Sequence, residues 1–119
     1  MDHLTPSQVA AMLAETAVDP SRVSPLLLDV REPWEFETAR IEGATLIPMS
    51  NIGSRVAEVE GLQEAADGSS RPIVCICHHG ARSMQVAAFL EQQGLQQVVN
   101  MTGGIHAWSL QVDPGVPTY

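Results

Sequence analysis

The run Cys77-His78-His79-Gly80-Ala81-Arg82-Ser83 follows directly on the apolar stretch Ile73-Val74-Cys75-Ile76. It brings a thiol, two imidazoles and a guanidinium together at the end of what reads as a buried strand. Those residue types suit a sulfur nucleophile that handles a small anion. The remaining sequence has to supply the strand, the turn and the helix that would aim them.

Strand and helix signals alternate along the chain. Thr5-Pro6-Ser7-Gln8 has the form of an N-cap, a first-turn proline and a capping-box glutamine, and predicts a helix to about Glu15. Leu26 to Val30 is an all-apolar run broken only by Asp29, as expected of a parallel strand covered on both faces. A short helix near Trp34 to Glu37, a strand over Ala44 to Pro48 and a helix over Ser54 to Leu62 follow. Ala65 to Pro72 has the composition of a surface loop. Pro72 to Cys77 predicts a strand rich in β-branched residues, and Ser83 to Gln93 a helix that stops at Gly94. Val98 and Val99 predict a further strand, Gly103-Gly104 a tight turn, and Ile105 to Leu110 a last helix. The tail, Asp113 to Tyr119, shows little periodicity, and the stretch Val112 to Tyr119 can either wrap the domain or meet a second copy. The pattern predicts an α/β chain, residues 1–119 forming one domain: a mostly parallel sheet of about five strands with helices on both faces.

In such sheets ligands bind beyond the carboxyl ends of the strands, where Cys77 falls. The position also precedes a helix N-terminus. Backbone N–H groups there lack intrahelical partners and, with the helix dipole, favour an anion. A thiolate gains from the same groups and from Arg82, and Gly80 allows the tight turn.

Composition closes other routes. The chain has 119 residues, 45% of them hydrophobic, without an apolar run long enough for a membrane span, and a formal net charge of −8. That charge argues against nucleic-acid or anionic-membrane partners. All six cationic side chains are arginine, which excludes lysine Schiff-base chemistry and a lysine-dependent phosphate loop. Met1-Asp2-His3-Leu4 has neither a basic leader nor an apolar h-region, so the expected place is the cytoplasm, where both cysteines stay as thiols.

Four segments in order resemble the rhodanese family of sulfurtransferases. Cys77 to Ser83 is similar to its active-site loop, and Leu28-Asp29-Val30-Arg31-Glu32-Pro33-Trp34-Glu35-Phe36 to its Asp-Val-Arg-Glu segment. Ile41-Glu42-Gly43-Ala44 resembles its Ile-Pro-Gly-Ala segment, and Gly103-Gly104-Ile105-His106-Ala107-Trp108 its Gly-Gly-containing end. Arg40 and Glu42 depart from the family's histidine and proline. The resemblance implies a three-layer rhodanese-like fold and a sulfurtransferase that needs no metal and no cofactor. Cys77 would take sulfur from thiosulfate or a related persulfide donor and pass it to a thiol, cyanide or a protein acceptor. His78, His79, Gly80, Ala81, Arg82 and Ser83 would form the cradle, with Asp29 and Arg31 supporting it. His78 and His79 stand where the family sets substrate preference, and either gains charge as pH falls through about 6.5. The related cell-cycle phosphatases have one more residue between cysteine and arginine, which sets the phosphatase or arsenate-reductase reading behind the sulfurtransferase one. A non-catalytic binding module on the same fold is the other alternative; retention of Cys77 weighs against it.

The remaining residues have plainer expected roles. Cys75 is expected to fill the core, and Cys75, Cys77, His78 and His79 are too crowded to wrap a tetrahedral ion. His3 and His106 are expected at the surface or as caps, and Trp34 and Trp108 as packing anchors. Glu32, Glu35, Glu37 and Glu42 read as a solvated acidic face, although Asp29, Arg31 and Glu35 also have the option of pairing with one another or with Arg82.

Overall fold

The structure, a computed structural model, describes residues 1–119. Its strands are β1 (Asp2–Leu4), β2 (Leu26–Asp29), β3 (Thr45–Leu46), β4 (Ile73–Ile76) and β5 (Val98–Met101). Its helices are α1 (Pro6–Val18), α2 (Pro33–Thr38), α3 (Met49–Ile52), α4 (Val56–Gln63), α5 (Ala81–Gln92) and α6 (Gly104–Gln111). The strands form one sheet in the order β1-β5-β4-β2-β3, every pairing parallel. The expected five-stranded parallel sheet is therefore present.

Period-2 alternation along the central strands divides the core into two layers. Ile73, Cys75 and Cys77 face Leu28, Ile52, Val59, Val86 and Leu90, so α3, α4 and α5 cover that side. Val74 and Ile76 face Val9, Leu27, Met101, Ile105 and Trp108, so α1 and α6 cover the other. Both faces being buried explains why β2 and β4 read as continuous apolar runs.

Local signals account for most boundaries. The Thr5 hydroxyl accepts from the Gln8 N–H and the Gln8 side chain accepts from the Thr5 N–H, which closes the expected capping box. α1 runs on to Val18, about one turn past the expected end. β1 lies outside the expected set: three residues with two exposed carry no period, and the strand exists because its backbone pairs with β5 at the sheet edge. α3 also lies outside it, a single turn set off by Pro48.

Because all strands run the same way, the loops after β2, β4 and β5 meet at one edge. The β4 and β5 loops approach closest at Gly104. Its φ is +62°, and a Cβ there would collide with the backbone carbonyls of Cys77 and His78. Only glycine permits that approach. The contact is then fastened by two backbone bonds, Ile105 N–H to Cys77 O at 2.8 Å and His106 N–H to His78 O at 3.1 Å.

Gly104→Ala is expected to lower stability by about 3 kcal/mol, from left-handed strain plus backbone overlap. Gly94 has a similar positive φ with open space around it, so Gly94→Ala should cost only about 1–2 kcal/mol. Urea midpoints of the two variants compare the effects directly.

Candidate functional site

Cys77 lies at the end of β4, 1% exposed, with its sulfur turned into the loop that leads to α5. The Gly80 N–H donates to Cys77 Sγ at 3.0 Å. The Ser83 hydroxyl is 3.3 Å from the same sulfur, 3.2 Å from Gly80 O and 2.6 Å from Asn100 Oδ1. Gly80 adopts a φ of +109° as the residue before α5, which turns its N–H inward. The first turn of α5 leaves further N–H groups, those of Ala81 and Arg82 among them, without intrahelical partners. A sulfur atom is thus enclosed by hydrogen-bond donors and the positive end of a helix.

A charged network behind this loop comes from the segment after β2. Arg31 is fully buried, and its five N–H donors all find acceptors: both oxygens of Asp29, the carbonyls of Glu35 and Ala39, and the Tyr119 hydroxyl at 2.8 Å. Burial opposes the Arg31 charge, but hydrogen bonds to Asp29 and then the Asp29 charge outweigh it and raise its pKa. Glu35, 3% exposed, accepts from Arg82 at 2.6 and 2.8 Å, from Tyr119 O–H at 2.7 Å and from the Glu32 N–H at 3.0 Å. The Arg82 hydrogen bonds, against the opposing effect of burial, hold the Glu35 carboxyl down to about 2. The same bonds raise Arg82, and Tyr119 is pushed up to about 12, first by burial and then by its bond to Glu35.

These contacts sort the expected roles. Asp29 pairs with Arg31 and Glu35 with Arg82, one of the options open to them. Glu32, Glu37 and Glu42 are exposed as expected, while Glu35 leaves the solvated face because Arg82 and the arginine-linked Tyr119 satisfy it. Arg82 contributes charge beside the loop, but both guanidinium termini it uses go to Glu35 rather than to the sulfur. Ala81 is exposed, Ser83 and Gly80 are buried at the sulfur, and Cys75 sits in the core with its thiol pushed up to about 12 by burial. Trp108 is a buried anchor; Trp34 is 60% exposed and meets only the edge of Tyr119, because the tail wraps the domain at this point.

Three contributors carry little signal in the sequence. Asn100, polar in the middle of β5, holds the Ser83 hydroxyl and approaches His3 Nδ1 at 3.4 Å. Tyr119 closes the Arg31 and Glu35 network and stacks on His78 with ring centroids 3.9 Å apart. His106, expected at the surface or as a cap, comes against His78 and His79 because its own backbone is tied to His78. His78 is half-buried; burial and then His79 lower its pKa, so its charging moves to lower pH than the ordinary histidine range.

Glu35→Gln is expected to destabilise the protein by about 2 kcal/mol at pH 7, a partial share of the shift because Arg82 is partly solvent-screened. A carboxylate with a lowered folded pKa stabilises above its unfolded value and loses that stability as pH falls through the folded one. The gap in urea stability between the wild-type chain and the Glu35→Gln variant should therefore close between pH 4.5 and about 2; a constant gap across that window contradicts the assignment.

None of the helices is long and apolar enough to cross a membrane. The Rhodanese-like domain family profile matches residues 5–111. A protein from Allochromatium vinosum named Sulfurtransferase is 39% identical over 84 residues, which is 71% of this chain and 71% of that protein. The Rhodanese-like/PpiC domain-containing protein 12, chloroplastic, of Arabidopsis thaliana is 41% identical over 93 residues, 78% of this chain; the match spans only 30% of that longer protein. The crystal structure of a rhodanese-like domain protein from Staphylococcus aureus superposes with a TM-score of 0.71 at 26% identity, covering 100% of this chain and 99% of that one. The cysteine at a strand end, the six-residue span to Arg82 and the Gly103-Gly104 approach thus stand in a known frame: the chain belongs to the rhodanese-like domain family.

Proposed function

We propose that the protein is a sulfurtransferase that carries sulfane sulfur on Cys77, from thiosulfate or a related persulfide donor to a thiol, cyanide or a protein acceptor. The observation that carries this reading is the setting of Cys77 Sγ, which accepts from the Gly80 N–H and touches the Ser83 hydroxyl, at the mouth of a helix N-terminus. In the first half-reaction the Cys77 thiolate attacks the outer sulfur of thiosulfate. A bond forms between the two sulfurs as the bond to the sulfonate sulfur breaks, and sulfite leaves with that electron pair. In the second, a nucleophile attacks the outer sulfur of the Cys77 persulfide and the thiolate leaves with its electrons. No net oxidant or reductant is consumed.

The chain's own groups serve both steps. One Ser83 proton is shared among Asn100 Oδ1, Gly80 O and Cys77 Sγ, so developing charge on sulfur draws it from Asn100 toward the anion. The open N–H groups of the loop and the first turn of α5 fit the terminal persulfide sulfur one bond further out. With Cys77 only 1% exposed, a donor reaches the sulfur only when the loop around it yields. His79, exposed there, and His78 are the residues we assign to donor preference.

Intact-mass spectrometry after exposure to thiosulfate tests the reading. The wild-type chain and Cys75→Ser should gain one sulfur atom that cyanide removes, and Cys77→Ser should gain none. Failure of the wild-type chain to gain sulfur from thiosulfate or from a persulfide donor contradicts it. Ser83→Ala should form the same adduct with turnover lowered about 100-fold, the usual scale for losing one preorganised donor to a developing anion; unchanged turnover removes Ser83 from the cradle.

A further inference from the structure

His78, His79 and His106 gather on one side of the loop. Each offers one imidazole nitrogen, and the three nitrogens lie within 4.8 Å of one another. The placement is built by backbone rather than by side-chain choice: His78 and His79 follow Cys77, and α6 is pinned to the same loop by the Ile105 and His106 N–H bonds to Cys77 O and His78 O. Two buried imidazole nitrogens, His78 Nε2 and His106 Nδ1, have no hydrogen-bond partner. Buried polar atoms are ordinarily satisfied, and two orphans in one cluster need an explanation.

We infer that these three histidines form a binding site for one zinc-class divalent cation. The nitrogens lie within 4.8 Å of one another, so each is at most about 2.8 Å from their centre, and ring rotations that carry each inward by up to about 0.8 Å reach the Zn–N length of about 2.0–2.1 Å. Imidazole is a ligand for zinc, nickel and copper rather than for calcium or magnesium. Three protein ligands leave a fourth position for water or an anion, the arrangement of an open site rather than a closed structural one. Stacking on Tyr119 holds the His78 ring beside the other two imidazoles. His106 separates this site from the crowded Cys75, Cys77, His78, His79 set: it replaces the core thiol Cys75 and needs nothing from Cys77, whose sulfur is held by Gly80 and Ser83. The inference stands independently of sulfur transfer.

Calorimetric titration with zinc chloride tests it on the reduced wild-type chain and on Cys77→Ser. Both should bind one zinc per chain. His106→Ala and the exposed-site variant His79→Ala should each weaken binding at least about tenfold, since even outer-shell losses cost about 10–100-fold, with thermal midpoints close to wild type. His79→Ala keeps the test informative if the partly buried His106 position tolerates alanine poorly. With cobalt(II) in place of zinc, the spectrum should show ligand-field bands and no thiolate-to-cobalt charge-transfer band. Absence of saturable binding overturns the inference. So does zinc binding that survives both histidine substitutions, or that disappears in Cys77→Ser.

Discussion

The ion pair between Glu35 and Arg82 is the constraint on which the site rests. It joins the segment after β2 to the first turn of α5, forty-seven positions apart in sequence, and fixes the helix whose N-terminus cups the Cys77 sulfur. A carboxylate this buried would be costly alone. Here four donors from Arg82, Tyr119 and Glu32 offset the desolvation. Tyr119 also bonds Arg31, so the Asp29–Arg31 pair and the Glu35–Arg82 pair act as one unit that the C-terminal tail closes.

Parallel topology explains why the chemistry is at this edge. Each strand delivers its loop to the same side, β2 bringing the carboxylates, β4 the thiol and β5 the glycines. The close β4–β5 approach at Gly104 has two consequences that belong together: it seats the Cys77 loop on α6, and it brings His106 to His78 and His79. One backbone contact therefore shapes both the sulfur cradle and the imidazole cluster.

What the sequence reveals follows from how local each determinant is. β2 and β4 are legible because burial on both faces leaves an uninterrupted apolar run, and α1 because Thr5 and Gln8 cap it within one turn. The Cys77 loop is legible because thiol, glycine, arginine and serine fall within seven consecutive positions. β1 is not, since a three-residue edge strand draws its identity from pairing with β5. Asn100, Tyr119 and His106 are not, since each acts through a partner far along the chain: Ser83, Arg31 with Glu35, and His78. Glu35 reads two ways because an acidic cluster on a short helix looks solvated until the arginine that pairs with one member is placed.

In the proposed reaction the Gly80 N–H and the Ser83 hydroxyl hold the charge of the sulfur that Cys77 carries. Proton–nitrogen correlation NMR of the labelled chain, recorded before and after loading with a persulfide donor and again after cyanide, tests it most directly. The amide signals of residues 78–83, Gly80 foremost, are expected to shift strongly on loading and return with cyanide, while β1 and α4 stay in place. Sulfur loading that leaves the Gly80 amide unmoved would contradict it.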